Sequence, residues 1–201
     1  VAIVNGYVTR NQVKQALGLG TAALTPDDDE IDQVVTSVSR AIDDFTGRFF
    51  YSLAGTVTFT ANDYLYLPIG DWSAVTSIVI DQNNTGTPSL TLAANTDYRL
   101  ATNKTVPGWP YTAIQITSFG SNALPLGVTE GVAVAGTRGW SAIPDPIASA
   151  TLIQCARTHG RRNTPFGIAG SPEGQIIRLL NRLDPDVELM ITPYRVPREA
   201  V

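Results

Sequence analysis

Twice along this chain the spacing of apolar residues changes, and that change limits what its 201 residues can build. Between Leu53 and Arg138 they fall in short β-prone runs, at 56–60, 64–67, 75–80, 90–92, 98–100, 113–117 and 131–135. Turn clusters separate the runs: Ala61-Asn62-Asp63, Pro68-Ile69-Gly70-Asp71 and Gln82-Asn83-Asn84-Thr85-Gly86. Short strands with short connections predict a small antiparallel barrel or sandwich. On both sides of this block the apolar residues return at three- and four-residue steps, the spacing of a helix with one buried face.

The clearest junction runs from Gly131 to His159. Val132 and Val134 read as a last strand stopping at Gly136, and Arg138-Gly139-Trp140 as a turn. Asp145 then suits a helix N-cap and Pro146 the first helical position, where its missing N–H costs nothing. Ile147, Ala150, Ile153 and Ala156 predict the buried face of that helix, with Arg157, Arg161 and Arg162 towards the end where the macrodipole favours cations.

At the other end, Thr9-Arg10-Asn11-Gln12 has the form of a capping box before Val13, Ala16 and Leu17, with a stop at Gly18 or Gly20. Thr25-Pro26 predicts the opening of a second helix, whose acids Asp27 to Glu30 lie at the positive end of its dipole. Ile31, Val34, Val38, Ile42 and Phe45 form its stripe and Gly47 its stop. After a Gly-, Pro- and Arg-rich loop over 160–174, Ile176, Ile177, Leu179 and Leu180 satisfy neither period, so 175–183 reads as helix or buried strand, with helix preferred. Asp184-Pro185 opens a last short helix, and Pro193 and Pro197 favour an extended tail after it.

The expected fold is therefore α+β. A helical bundle is built from 1–52 and 141–195, a small antiparallel β barrel or sandwich is inserted over 53–140, and 192–201 form an extended C-terminal tail.

Composition excludes several functions. The net charge is −4 and the fourteen Lys and Arg form no basic run, so the electrostatic footprint of a tight nucleic-acid binder is missing. One cysteine excludes an internal disulfide. The first residues lack the basic flank of a signal peptide, and no run of eighteen apolar residues predicts a membrane span.

Candidate chemistry is sparse. His159 is the sole histidine, and Cys155 lies four residues before it on the same helical face. Two ligands do not make a zinc site, and no Gly-x-Ser-x-Gly elbow exists. A packed cysteine and a helix-end histidine are the plainer reading. The run Asp27 to Glu30 lacks the alternation and glycine of a calcium loop, and Asp81 to Gly86 lacks the closing glutamate, so a hairpin turn is expected there. Trp72, Trp109 and Trp140 leave a carbohydrate-binding β module on a helical stalk as the alternative function. No enzyme, cofactor or metal is expected.

Four stretches together resemble the head-to-tail connector (adaptor) proteins of tailed bacteriophages, in the longer form with a β insertion. They are Val4-Asn5-Gly6-Tyr7-Val8-Thr9; Asp28-Asp29-Glu30-Ile31 through Ala41-Ile42-Asp43 to Thr46-Gly47-Arg48-Phe49-Phe50-Tyr51; Gly139-Trp140 with Ile143-Pro144-Asp145-Pro146-Ile147; and Pro165-Phe166-Gly167-Ile168-Ala169-Gly170 with Arg182-Leu183-Asp184-Pro185-Asp186-Val187 and Pro193-Tyr194-Arg195. The resemblance implies a structural protein of the virion neck, assembled in the host bacterial cytoplasm as a ring, commonly of twelve copies, beneath the portal protein. It implies a downstream neck, stopper or tail protein as a further partner, and double-stranded DNA passing through the channel without sequence-specific binding. It also implies that Pro193, Tyr194 and Arg195 dock on the portal or on a neighbouring subunit.

Overall fold

A computed structural model describes residues 2–20, 27–117, 122–161, 168–170, 176–178 and 183–196. The chain divides into two compact units, one formed by Val1–Phe50 with Ile143–Val201 and the other by Tyr51–Ala142.

Among the described residues the first unit holds four α-helices: α1 (Arg10–Ala16), α2 (Asp28–Thr46), α3 (Asp145–Arg161) and α4 (Pro185–Ile191). The capping box forms as expected. Gln12 N–H donates to the Thr9 hydroxyl at 3.3 Å, and Thr9 N–H donates to the Gln12 side chain at 2.7 Å. Helix α2 ends at Gly47, which adopts the left-handed conformation with φ of 68°. The opening expected at Thr25-Pro26 lies outside the described residues.

Two buried faces differ from those that periodicity predicts. On α2 the buried apolar positions are Ile31, Val35, Val38 and Ile42, interleaved with Asp28, Asp32, Ser39 and Thr46, while Val34 and Phe45 are half-buried. On α3 the buried apolar positions are Ile147, Ala150 and Cys155, interleaved with Thr151, Gln154 and His159, while Ile153 and Ala156 are half-buried. The stripes turn because polar side chains find partners inside. The hydroxyls of Ser39, Thr46 and Thr151 each donate to the carbonyl four residues earlier, which removes the cost of burying them. Helix α3 also starts one residue sooner than expected, because the Pro144 carbonyl accepts from Ile147 and Ala148 N–H.

Helix α4 is docked on α3 through Asp184. Its side chain caps α4 by accepting from Asp186 N–H at 2.7 Å and pairs with Arg157, and its own N–H donates to Gln154 at 3.3 Å. Val187 and Ile191 are fully buried. The helix preferred over 175–183 is not formed over its described residues 176–178. Ile176–Arg178 is a strand, β8, paired antiparallel with β7 (Ile168–Gly170), which lies within the stretch expected to be loop. Two adjacent β-branched residues and a glycine at the strand end favour a short hairpin over a helix that neither period supported. Residues 162–167, 171–175 and 179–182 lie outside the described residues.

Among the described residues the second unit is an open antiparallel sheet of six strands: β1 (Leu53–Phe59), β2 (Tyr66–Ile80), β3 (Leu90–Thr91), β4 (Tyr98–Thr102), β5 (Tyr111–Ile116) and β6 (Val132–Arg138). Their order is β1-β6-β2-β5-β4, with β3 on β2. The expected barrel is not formed, because β1 and β4 are edges that do not pair with each other.

The sheet nevertheless curls. Phe59 and Ile80 both pair with Val132, so they lie within about 10 Å of each other. A straight β2 would carry Tyr66 roughly 46 Å from Ile80, yet the six residues 60–65 that link Phe59 to Tyr66 reach only about 25 Å. Strand β2 must therefore bend. The bend falls at Pro68-Ile69-Gly70-Asp71, where the sequence predicts a turn between strands; instead the cluster lies within one strand, where the pairing shifts between Pro68 and Trp72 and Gly70 takes φ of 73°. Both halves of β2 then face one core, with Leu67, Ile69 and Trp72 from the first and Ile78 and Ile80 from the second, packed with Ile114, Leu124, Val132 and Val134.

Candidate docking site

Pro193, Tyr194 and Arg195 fall where α4 gives way to a single 3-10 turn, Thr192–Tyr194, rather than to the extended chain expected from Thr192 onward. Pro193 has no N–H, but at the start of a turn none is needed, so α4 tightens before it stops. The backbone becomes extended only at Arg195, and 197–201 lie outside the described residues.

This segment closes over the C-terminal end of α2. Val196 N–H donates to the Thr46 carbonyl at 2.8 Å, satisfying one of the carbonyls that a helix end leaves without an internal partner. The Tyr194 ring meets Phe50 edge-on at 5.7 Å, and Phe50 meets Tyr7 in the same way at 5.6 Å. The Arg195 guanidinium lies 5.3 Å from the centre of the Phe45 ring. Burial, and then the charge of Asp145, pushes the Tyr194 phenol above its ordinary value. Tyr194 is half-buried, whereas Pro193 and Arg195 are exposed.

Beneath the segment, Tyr7 is the hub. Its hydroxyl accepts from Phe50 N–H at 2.9 Å and donates to Asp43, while its own N–H donates to Ser39 at 3.1 Å. Arg40 holds Asp43 at 2.9 Å and donates to the Asn5 carbonyl at 2.9 Å. Burial raises both the Tyr7 phenol and the Asp43 carboxyl. Periodicity did not single out Tyr7, Phe45 or Phe50 as supports of the last turn. The available signal was the aromatic run Phe49-Phe50-Tyr51 just past a helix stop at Gly47, where a buried helix needs no further apolar residues of its own.

The other candidates are structural. Cys155 is fully buried and burial pushes its thiol up to about 12, which makes it a poor nucleophile. His159 is buried, with Nδ1 3.8 Å from the Glu30 carboxylate. No group of three His, Cys, Asp or Glu suited to a metal occurs among the described residues. The Asp81 carboxylate accepts from Thr85 N–H at 2.9 Å and Gly86 N–H at 2.7 Å, so it closes the β2–β3 turn as expected. These bonds hold its carboxyl below the usual range. The tryptophans offer no sugar platform. Trp72 is wholly buried and donates to the Ile69 carbonyl at 2.9 Å, Trp140 is buried and donates to Asp71 at 3.2 Å, and Trp109 packs edge-on to Trp140 under the Lys104 ammonium, 4.4 Å from its ring centre. No helix among the described residues is long and apolar enough to cross a membrane.

Four helices drawn from both ends of a chain, interrupted by a bent antiparallel sheet, define a fold class that solved structures share. No family model and no curated protein matches the sequence. A chain in the neck of an empty GTA particle, computed with C6 symmetry, is 23% identical with a TM-score of 0.60, covering 100% of this chain and 95% of that one. A chain in the virion of the native gene transfer agent (GTA) particle is 22% identical with a TM-score of 0.58, covering 100% and 95%. A third, in the neck of the native GTA particle computed with C12 symmetry, is 20% identical with a TM-score of 0.59, covering 100% and 94%. The likeness runs the whole length of the chain and is one of fold.

Proposed function

We propose that this protein is a structural component of a virion neck, a head-to-tail connector that forms a homo-oligomeric ring beneath the portal. The observation that carries this reading is the full-length likeness to chains from the neck of GTA particles, at 23% and 20% identity, which spans both units and so extends beyond a shared helical motif. The ring extends the DNA channel and presents a docking surface to the tail or to the next neck protein. A net charge of −4 suits a conduit, because a mildly acidic wall repels phosphates and lets the duplex pass. The C6 and C12 symmetries computed for those necks support a ring, with twelve copies as the proposed number. Ring closure needs two different patches on each subunit.

Pro193 and Arg195, exposed on the last turn, are the proposed contacts to the portal or to a neighbouring copy, and Tyr194 holds that turn against Phe50. The protein is proposed to act without catalysis: the buried thiol of Cys155 and the packed His159 favour no reaction.

Imaging of particles that carry this chain tests the reading. Density for it is expected as a ring between the portal and the tail, and a position in the capsid shell or at the tail tip would refute the assignment.

A further inference from the structure

The bend in β2 leaves a gap in the sheet. On the side away from β6, β2 pairs with β5 as far as Trp72 and with β3 only from Val79, so no described strand pairs with residues 73–78 there. A cavity of about 360 Å³ opens at this place. Val75 and Leu100 give it apolar walls, Tyr111 lies on the side of β5, and Ala94 and Asn95 lie on the side of β3. Asn95 takes φ of 65°, and its N–H donates to the Tyr98 carbonyl at 2.8 Å, which holds the β3–β4 connection beside the cavity.

The polar part of the lining is rich in donors. Tyr98 lines the cavity although it is only 5% exposed, and its hydroxyl has no partner among the described residues. A buried hydroxyl ordinarily has one, so the cavity is where this group can find it. Burial raises the phenol, which therefore stays protonated as a donor. Arg99 is exposed and enters no ion pair among the described residues. Its backbone pairs with Gln115 of β5, and because β4 is an edge strand the long side chain can pass round that edge to the cavity it lines. Among the described residues it is the one charged member of the lining. The neighbouring acid, Asp97, is engaged in its own turn, where it accepts from Ala93 N–H at 2.8 Å.

We propose that this cavity binds a carboxylate carried on a short apolar stem, with the Arg99 guanidinium as its counter-ion and the Tyr98 hydroxyl as a second donor. A guanidinium presents two parallel N–H groups to the two oxygens of a carboxylate. One positive charge balances a carboxylate but only half balances a phosphate dianion, so phosphate is the poorer ligand. Val75 and Leu100 meet the stem, and the volume is at the small end for a ligand pocket. The carboxylate comes either from a free small acid or from a glutamate side chain of another protein. The site lies wholly in the β unit and does not rest on the ring reading.

The full chain, isotope-labelled, is titrated at neutral pH and constant ionic strength with sodium butyrate, N-acetyl-glutamate α-amide, N-acetyl-glutamine α-amide and inorganic phosphate, and the backbone amide resonances are followed by NMR. Saturable shifts at Asn95, Tyr98 and Arg99 are expected with the two carboxylates, and binding about tenfold weaker or more with the glutamine amide and with phosphate. Tighter binding of the glutamate amide assigns the carboxylate to a protein side chain, and tighter binding of butyrate assigns it to a free acid. Arg99→Gln, at an exposed position, should weaken carboxylate binding about tenfold or more. Tyr98→Phe, which keeps the ring in the core, should weaken it several-fold while tryptophan fluorescence stays unchanged. The proposal is overturned by an absence of saturable shifts with both carboxylates, by equal binding of the glutamine amide or of phosphate, or by an Arg99→Gln variant that binds as the parent does.

Discussion

The helical unit and the β unit bury very different things. In the helical unit, charge reaches the interior. Lys14, 1% exposed, donates to Asp28 at 2.9 Å, and Arg10 reaches both Asp28 at 3.2 Å and Asp32. The β unit's core is a single apolar cluster around Trp72, and its two buried carboxylates, Asp81 and Asp97, serve turns at its margin. The difference follows from length and connectivity. Helices α1 and α2 are short of apolar surface between them and orient each other by paired charges, whereas a bent sheet encloses a core on both sides and needs no polar guide.

The contrast is experimentally separable, because Trp72, Trp109 and Trp140 all lie in the β unit. Tryptophan fluorescence therefore follows that unit, while ellipticity at the helical band follows mainly the other. The largest effect is expected from Trp72→Ala, which empties the centre of the β core and should lower stability by about 3–5 kcal/mol in denaturant titrations read by fluorescence. A loss below about 1 kcal/mol would mean that the two halves of β2 do not share one core.

Lys14→Ala should cost about 3 kcal/mol in titrations read by ellipticity, since it removes a buried cation from beside the buried Asp28 carboxylate. Lys14→Met combined with Asp28→Leu should recover most of that loss, because an apolar pair of similar volume avoids the desolvation that the ion pair carries. Failure of the double variant to recover would indicate that the charges set the α1–α2 arrangement as well as filling space.

The smallest effects concern acid, and the two units should respond with opposite sign. Asp81 is held below its ordinary value by the Thr85 and Gly86 N–H groups, so its contribution is complete above the unfolded value and is lost as pH falls below about 4. Asp43 is held above its ordinary value by burial, so its ionisation opposes folding and the penalty is relieved as pH falls through the range just above about 4. Asp81→Asn should flatten the acid limb of the fluorescence midpoint, and Asp43→Asn the limb of the ellipticity midpoint above it. Parallel limbs in both variants would argue that the units do not titrate separately.

Local chemistry was the legible part. Thr9 and Gln12, Gly47, Asp184 with Pro185, and the Asp81 turn all act within a few residues of themselves, so their roles could be read before any packing was known. The faces of α2 and α3 could not be read so closely. Ser39, Thr46 and Thr151 look like solvent-facing residues until their hydroxyls are seen to bond the preceding turn, and Val34 looks buried until Val35 is seen to take its place. The same holds at the last turn, where the prolines pointed to an extended tail but the Thr46 carbonyl and the Phe50 ring hold the chain at a turn.

What the residues decided alone was where the four helices and most strands of the β block lie, though not the β7–β8 pair, because caps, turns and periodicity are short-range properties of neighbouring side chains. Tertiary structure alone decided that Pro68 to Asp71 would bend a strand rather than end one, that the sheet would stay open with β1 and β4 as its edges, and that Tyr194 would rest on Phe50. Each of these depends on partners far away in sequence, and a chain carries no local record of which distant surface will satisfy an unpaired backbone group or an exposed ring.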